Sequence, residues 1–240
     1  MTPFAPGGED PTGQSHPPHD LAAHIPPGIF VGTSLILWRN GRFLYGIRRP
    51  KVEGSRSILE LTGIGGALEP EDASLGAGAL REVSEEIGCP VQLLPSQETL
   101  IVRGPGAVEW VALDGEERPV AVVFRRYRTP PHQPWHERNQ GEACLVVFLA
   151  ELQGEPQPVG ELPALIWLSP RSVIRAAQRD VPLSELLRLG ATLVEREPGS
   201  LPRDAWARLT DSQEALVLAL DEHAVDFYST GTQYSITSSK

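Results

Sequence analysis

Three glutamates at helical spacing are the residues of this sequence best suited to do chemistry. Glu82, Glu85 and Glu86 lie at positions i, i+3 and i+4 within residues 81–88. At about 100° of rotation per residue, this spacing places the three carboxylates on one side of a helix, where they repel one another. A divalent cation would offset the repulsion, and carboxylate oxygens suit Mg²⁺ and Mn²⁺. The spacing therefore predicts a metal site, with a solvated acidic helix face as the alternative.

The same segment has the apolar stripe of an amphipathic helix. Its apolar residues recur at spacings of three and four, and they are Ala77, Leu80, Val83 and Ile87. Gly88 follows them and predicts the end of the helix. The acidic side of the helix is therefore distinct from a side that packs on a core.

The segment resembles the Nudix box, whose pattern is Gly-x5-Glu-x7-Arg-Glu-hydrophobic-x-Glu-Glu-x-Gly-hydrophobic. The second half matches from Arg81 to Gly88, with Cys89 as the hydrophobic residue that follows. The first half departs, because counting from Gly66 places Asp72 where the family has glutamate and leaves eight residues before Arg81. We expect the additional residue in the loop before the helix, where it does not rotate the carboxylates. The resemblance covers about residues 28–170.

The resemblance implies a metal-dependent hydrolase that cleaves a diphosphate linked to another group. It assigns the ligands of Mg²⁺ or Mn²⁺ to Glu82, Glu85, Glu86 and the carbonyl of Gly65. It gives Arg81 the role of orienting the carboxylates by a salt bridge, with assistance from Glu69. The acceptor of the proton from water could be Glu85 or Glu86, through the metal, or Glu142.

Residues 129–142 form a proline-rich loop that leads to a predicted strand. In several Nudix enzymes a glutamate from a distant loop completes the metal site or acts as the base, so Glu137 and Glu142 are the candidates here. Trp135 in the same loop could stack on a nucleobase, or it could cover the edge of the core.

Basic residues precede the glycines on a predicted loop, and they are Arg48, Arg49, Lys51 and Arg56. They could bind the phosphates of a substrate, or they could be a solubilising segment. The net charge of −10, from 31 acidic and 21 basic residues, disfavours broad binding to nucleic acid or to an anionic membrane. The partner that the resemblance implies is a small-molecule nucleotide diphosphate.

The elements around these residues indicate an α/β protein. Residues 30–38 and 43–48 read as a hairpin that turns at Asn40-Gly41. Further strands are predicted at residues 91–94, 98–102, 108–113, 120–127, 143–152 and 165–168. Mixed strands with a central helix predict an α/β sandwich. The resemblance implies that it is a Nudix-type α/β/α sandwich with a mixed sheet.

The chain divides by composition into four parts. Residues 1–26 predict a disordered lead, 27–170 the Nudix domain, 171–228 a C-terminal helical extension and 229–240 a polar tail. The extension has predicted helices at residues 172–180, 184–189 and 211–225. The apolar residues 215–220 of the last helix must pack on the same domain or on a second subunit, so a homodimer is possible.

Cys89 and Cys144 lie in apolar contexts without metal-ligand spacing, which predicts reduced and buried thiols. The sequence has no stretch of about 18 apolar residues and no secretory pattern, so we expect a cytoplasmic protein. Pro105 lies sixteen residues after Cys89, near the place where ADP-ribose-cleaving members of the family carry a proline. On this point the resemblance favours ADP-ribose or a nucleotide sugar as the substrate. The alternative function is a Nudix-fold sensor that binds a nucleotide without cleaving it.

Overall fold

A computed structural model describes residues 20–104, 106–126 and 142–222 of the chain. Its helices are α1 (Leu21–His24), α2 (Leu75–Ile87), α3 (Pro170–Gln178), α4 (Leu183–Arg188) and α5 (Asp211–Glu222). Its first strands are β1 (Phe30–Arg39), β2 (Arg42–Ile47), β3 (Lys51–Glu53), β4 (Arg56–Thr62), β5 (Val91–Leu94), β6 (Thr99–Gly104) and β7 (Ala107–Val111). The others are β8 (Ala121–Arg126), β9 (Glu142–Leu152), β10 (Ala164–Leu168), β11 (Val181–Pro182), β12 (Thr192–Glu195) and β13 (Trp206–Leu209).

The predicted hairpin is confirmed and forms the centre of the sheet. Asn40 and Gly41 have φ angles of 50° and 75°, as a tight two-residue turn between β1 and β2 requires. The other edge of β1 pairs with β9 in parallel, from Phe30 with Ala143 to Trp38 with Glu151. The strand order β11-β13-β4-β2-β1-β9-β8-β6-β7 contains parallel and antiparallel neighbours, so the sheet is mixed.

Helices cover both faces of the sheet, which confirms the α/β/α sandwich. On one face α2 packs its apolar side on β1, so that Val83 and Ile87 share a core cluster with Leu35 and Leu37. On the other face α3 and α4 pack in a second cluster with β13. Helix α5 places Leu216 in a third cluster with residues of β6, β8 and β9. The sheet is therefore buried from both sides in its middle, where β1 and β9 lie.

The C-terminal region differs from the predicted helical extension because it also contributes strands to the same sheet. β13 runs parallel to β4, with Trp206 opposite Ile58 and Leu209 opposite Leu61. β12 pairs with β10, and β10 pairs with β2. The helices were predicted correctly, but the strands were missed because they are short and owe their conformation to distant partners.

Two shorter segments also differ from expectation. The lead was expected to lack structure up to residue 26, yet Leu21–His24 is a helix, and Leu21 and Ile25 pack against the core. The rest of the predicted lead and the polar tail lie outside the described residues. Lys51 and Arg56, expected on a loop, lie in a β3–β4 hairpin that turns at Gly54, with a φ of 61°.

Cys89 and Cys144 are free and buried, as predicted, and burial raises the pKa of the Cys144 thiol to about 12. Among the helices of the described ranges, none is long and apolar enough to cross a membrane.

Candidate functional site

The glycine turn between β4 and α2 lies against β1. The N–H of Thr33 donates to the carbonyl of Gly66 at 2.8 Å. Gly65 has a φ of 148°, and a Cβ there would lie 2.2 Å from the carbonyl oxygen of Thr33. A Cβ on Gly66 would lie 2.5 Å from the carboxyl carbon of Glu82. Glycine is required at position 65, where a side chain would meet the backbone of β1, while a side chain at position 66 would displace the carboxylate of Glu82.

Helix α2 is capped at both ends, so that its carboxylates keep fixed positions along one helix. Ser74 accepts a hydrogen bond from the N–H of Ala77 at 3.0 Å. The Glu117 carboxylate accepts hydrogen bonds from the Ser74 hydroxyl at 3.0 Å and from the N–H of Gly76 at 3.2 Å, so a negative charge lies at the N-terminus of the helix. Gly88, with a φ of 56°, ends the helix. The helix is continuous from residue 75, so the additional residue of the box lies in the loop before it.

Arg81 joins the helix to that loop. Its Nε and Nη2 donate to the two carboxylate oxygens of Asp72, both at 3.1 Å, and Nη2 also donates to the carbonyl of Ala67 at 2.9 Å. Its Nη1 donates to Glu82 at 2.8 Å and to Glu85 at 3.3 Å. The hydrogen bonds from Arg81 lower the pKa of Asp72. Sequence analysis gave Asp72 no role, although the Gly-x5-acid spacing was the signal that pointed to it.

Glu69 lies farther from Arg81, with 3.8 Å between its carboxylate and Nη1. Its backbone N–H donates to Asp72 at 2.8 Å. Glu69 therefore contributes to the network through its backbone as well as through its charge.

Glu86 is the most buried of the three helix carboxylates, with a residue exposure of 7 %. Its Oε2 accepts a hydrogen bond from the N–H of Gly65 at 2.8 Å. Burial raises the pKa of Glu86 to about 7, and repulsion from Glu82 and Glu161 adds to the effect. Burial also raises the pKa of Glu82, with repulsion from Glu85 as a smaller cause. The carboxylates thus destabilise one another in the absence of a cation.

The donor set fits a hard divalent cation in its chemistry, since it consists of carboxylate oxygens beside a glycine backbone turn. Within the described ranges, however, no three acidic, histidine or cysteine side chains converge closely enough to hold a metal ion. Glu82 and Glu85 are turned toward Arg81, and Glu86 is turned toward Gly65. Coordination would require some of these side chains to change rotamer, which the exposed Glu85 side chain can do without disturbing the core.

An open cleft of about 560 Å³ lies beside the helix carboxylates. It is lined by Arg48, Arg49, Lys51 and Glu161. Arg48 attracts the carboxylate of Glu86, and this attraction opposes the burial that raises the pKa of Glu86. Lys51 binds Glu60 at 2.7 Å. The side chains of Arg48 and Arg49 make no hydrogen bond or ion pair with another described residue, so both guanidinium groups are available to a ligand.

The loop between β9 and β10 closes over the C-terminal end of α2. The N–H groups of Gln157 and Val159 donate to the carbonyls of Ile87 at 3.0 Å and Glu86 at 2.8 Å. These carbonyls belong to the last turn of the helix, where carbonyl groups have no hydrogen-bond donor within the helix itself. The loop therefore holds Glu161 at the cleft and supports the helix that carries Glu86.

Arg196, directly after β12, holds the same loop from the other side. Its guanidinium donates to three loop carbonyls, those of Pro158 at 3.3 Å, Gly160 at 2.8 Å and Leu162 at 2.6 Å. Neither Arg196 nor Glu161 was predicted, because no local sequence pattern marks a contact between segments about 35 residues apart.

Two other predicted residues that the structure describes, Arg56 and Glu142, are not among the residues that line the cleft. Arg56 lies over the ring of Trp206, 4.5 Å from its centroid, and is not among the residues that line the cleft. Glu142 is the exposed first residue of β9, opposite Arg126 in register. Trp135, Glu137 and Pro105 lie outside the described residues.

The fold and the site define a class of protein: an α/β/α sandwich with a glycine turn and an acidic helix at one end of a mixed sheet. The model of the NUDIX domain family matches residues 30–188. The chain belongs to the Nudix hydrolase family, whose members are pyrophosphohydrolases that generally use divalent metal ions.

Several solved structures are similar to this chain at low identity. The ORF135 protein of E. coli is 16 % identical over 84 % of this chain and 95 % of its own, with a TM-score of 0.44. A NUDIX hydrolase from Nitrosomonas europaea is 18 % identical over 62 % of this chain and 78 % of its own, with a TM-score of 0.39. A MutT NUDIX hydrolase from Burkholderia pseudomallei is 21 % identical over 59 % of this chain and 84 % of its own, with a TM-score of 0.35. No curated protein matches the sequence significantly. At these TM-scores the similarities carry no argument about the substrate.

Proposed function

We propose that this protein hydrolyses the diphosphate bond of a nucleoside diphosphate linked to a second group, with ADP-ribose or a nucleotide sugar as the favoured type. One observation carries the proposal: a cleft opens beside the buried carboxylate of the acidic helix, and two of its guanidinium groups, those of Arg48 and Arg49, make no hydrogen bond or ion pair with another described residue. Arg48 and Glu161, which both line the cleft, both act on the charge of Glu86. A guanidinium group can bind a phosphate through two parallel N–H···O hydrogen bonds, and carboxylates bind the divalent cation that accompanies a diphosphate.

The helix residues would hold Mg²⁺ or Mn²⁺ through Glu82, Glu85 and Glu86, together with the Gly65 carbonyl. When bound, the cation would supply charge neutralisation for the phosphates and a lowered pKa for a coordinated water. Arg81 keeps the helix turn and the loop in fixed relation through Asp72 and Ala67. Arg48 and Arg49 bind and orient the diphosphate at the cleft.

The acceptor of the proton from the attacking water is a carboxylate at the edge of this site. Glu85 is supported by its exposed side chain, of which 60 % is accessible, since a proton acceptor must reach water. Glu142 stays a candidate on its position at the start of β9, which sequence analysis favoured. Glu86 is a weaker candidate, because its Oε2 is bound to the N–H of Gly65.

The proposal includes a small-molecule partner, no nucleic acid or membrane partner, and a cytoplasmic location. The net charge of −10 supports the absence of nucleic acid as a substrate. A homodimer stays possible. The division of the chain into four parts also stays a proposal. Strands from both sides of its boundary at residue 170 pair with each other, β10 with β12 and β4 with β13.

The test is a panel of nucleoside diphosphate derivatives assayed with Mg²⁺ and with Mn²⁺. Arg48→Ala and Arg49→Ala should raise KM about tenfold with kcat little changed, if the cleft binds ground and transition states alike. Arg56→Ala is the matched control, since it removes the same charge outside the cleft and should leave KM unchanged. Equal KM values for all four proteins would contradict the phosphate-binding role.

A sensor that binds without cleaving is the second candidate, favoured by the pairing of Glu82 and Glu85 with Arg81. These contacts hold the carboxylates of Glu82 and Glu85 on the guanidinium group of Arg81 and away from a metal ion. Binding of a nucleotide diphosphate without turnover at any concentration of Mg²⁺ or Mn²⁺ would support the sensor, and turnover would exclude it.

A further inference from the structure

The open cleft lined by Arg48, Arg49, Lys51 and Glu161 is called the basic cleft below. A second, smaller cleft of about 160 Å³ adjoins it. Its lining residues are Arg49, Glu161, Pro163, Arg196, Glu197 and Ser200. The two clefts share Arg49 and Glu161. A ligand whose phosphate is held at Arg49 therefore has a neighbouring space for the group attached to that phosphate.

The small cleft offers hydrogen-bond acceptors that no other residue in the described part of the chain uses. The carboxylates of Glu161 and Glu197 make no hydrogen bond or ion pair with another described residue. The Ser200 hydroxyl lies in the same lining. The guanidinium of Arg196 is engaged by the loop carbonyls and adds no free phosphate donor.

This lining selects among the groups that can be attached to a diphosphate. Two carboxylates repel a further phosphate, and none of the described lining residues is aromatic, so none of them offers a base a stacking face. Hydroxyl groups, in contrast, donate to carboxylates and exchange hydrogen bonds with a serine. At about 30 Å³ per water, the cleft holds about five waters, which a single sugar ring and its hydroxyls would replace.

The walls of the small cleft are held in place before a ligand binds. Glu195 accepts hydrogen bonds from the N–H groups of Gly199 at 3.3 Å and Leu201 at 3.2 Å, and it binds Arg203 at 2.6 Å. These contacts fix the turn that presents Glu197 and Ser200. Arg196 fixes the facing loop that presents Glu161. A preorganised polar cleft of this kind favours specific binding, since little ordering is required.

We propose that this small cleft, half of whose described lining residues (Arg196, Glu197 and Ser200) lie beyond the matched NUDIX domain, binds a polyhydroxylated group such as a sugar attached to the diphosphate. Glu197 and Ser200 are its specificity-determining residues. The inference rests on the proposed function in one respect, which is that a diphosphate occupies the basic cleft.

The experiment measures equilibrium binding, so that it does not depend on turnover. The probes are two methylene-bridged nucleoside diphosphate analogues, one carrying a terminal ribose and one without it, titrated by calorimetry in the presence of Mg²⁺. The wild type should bind the ribose-linked analogue at least about tenfold more tightly. Glu197→Ala combined with Ser200→Ala should remove most of this preference and leave Kd for the shorter analogue unchanged.

Glu109→Ala is the control, because Glu109 is an exposed carboxylate on the edge strand β7 and lies outside both clefts. It should keep the wild-type preference. An unchanged preference in the double variant, or equal Kd values of the wild type for the two analogues, would overturn the inference. Binding with the expected preference but without hydrolysis of the natural diphosphates would contradict the proposed function and support the sugar site.

Discussion

Arg81 and a divalent cation compete for the same carboxylates. Nη1 of Arg81 holds Glu82 and Glu85, and the other two nitrogens hold Asp72. Because Asp72 accepts from two nitrogens, Arg81 keeps a partner when the glutamates turn away. The arginine can therefore release Glu85 to a metal and still fix the loop before the helix.

The first prediction concerns the helix carboxylates. Glu85→Gln and Glu86→Gln should each lower kcat by about a thousandfold, since each removes a negative charge from the metal site. Glutamine keeps an acceptor for the N–H of Gly65, so the melting temperature should change little. Steady-state kinetics with Mg²⁺ and thermal melts of the same preparations provide the measurement. Normal turnover by both variants would rule out this assignment.

The second prediction tests whether Asp72 acts through Arg81. Asp72→Asn should lower kcat about tenfold, because it weakens the paired hydrogen bonds that orient the guanidinium. The double variant with Asp72→Asn and Arg81→Ala should lower kcat by less than the product of the two single effects, because both substitutions break the same Asp72–Arg81 contact. Independent effects in the double-mutant cycle would show that Asp72 has no positioning role.

The helix carboxylates could be predicted from the sequence because their spacing is local and the helix repeat fixes their direction. The role of Asp72 was missed because an additional loop residue disturbed the count to Arg81, although the loop still returns the carboxylate to the same guanidinium. Glu161 and Glu197 could not be found, since their place at the cleft depends on pairing between strands far apart in the chain.

Among the elements, the β9–β10 loop depends on a residue of the C-terminal region. Arg196→Ala leaves the carbonyls of the loop without donors, so it should lower the unfolding free energy by about 1–3 kcal/mol. It should also speed hydrogen exchange of the N–H groups of Gln157 and Val159, which bind the end of α2. Arg203→Ala, which removes an exposed arginine from the same region, should leave exchange in the loop unchanged. Unchanged exchange in both variants would contradict the role of Arg196.

The ion pair between Asp180, after α3, and Arg208 of β13 should make the unfolding free energy depend on pH. Arg208 donates to both carboxylate oxygens of Asp180 at 2.8 Å, which lowers the pKa of Asp180 in the folded state. A lowered folded pKa contributes stability above the unfolded pKa of about 3.9 and loses it as the pH falls further. Asp180→Asn should therefore lose less unfolding free energy than the wild type between pH 5 and pH 3. Denaturant unfolding of both proteins at pH 5 and at pH 3 measures these losses of unfolding free energy. Equal losses would contradict a stabilising role of the Asp180 charge.

Most elements could be predicted, since α2, the hairpin and the strands up to β10 carry their own periodicity or turn residues. The exceptions share a physical cause. Trp206–Leu209 has only four residues, too few for its alternating burial to predict a strand, and it becomes a strand because the edge of β4 offers it partners. The β3–β4 hairpin is exposed on β3, so hydrophobic burial leaves no pattern there.

At the scale of the whole molecule, the C-terminal region is part of the core and not an appendage. Leu216 is 1 % exposed and packs with residues of three strands. Leu216→Ala should therefore lower the unfolding free energy by about 2–5 kcal/mol, while Val52→Ala, at a residue with 79 % exposure, should change it by less than about 0.5 kcal/mol. Denaturant titration of the two variants makes the comparison, and equal effects would contradict the packing.

Deletion of residues 200–240 should have a larger effect, because it removes β13 and α5 together and uncovers the edge of β4. We expect a lower melting temperature and aggregation, measured by thermal melts and light scattering. A truncated protein with the melting temperature, mass and activity of the full chain would show that the region is dispensable.

The pairing of β13 with β4 also sets the order in which this protein can be completed on the ribosome. Leu61 at the end of β4 precedes Trp206 by 145 residues. At synthesis rates of about 5–20 residues per second, the edge of β4 waits on the order of 10 s for its partner. During that interval the acidic helix and the glycine turn can already fold on β1, but the sheet next to them is open. A cell that slows translation beyond residue 62 therefore lengthens the time in which the nascent chain can pair with another strand.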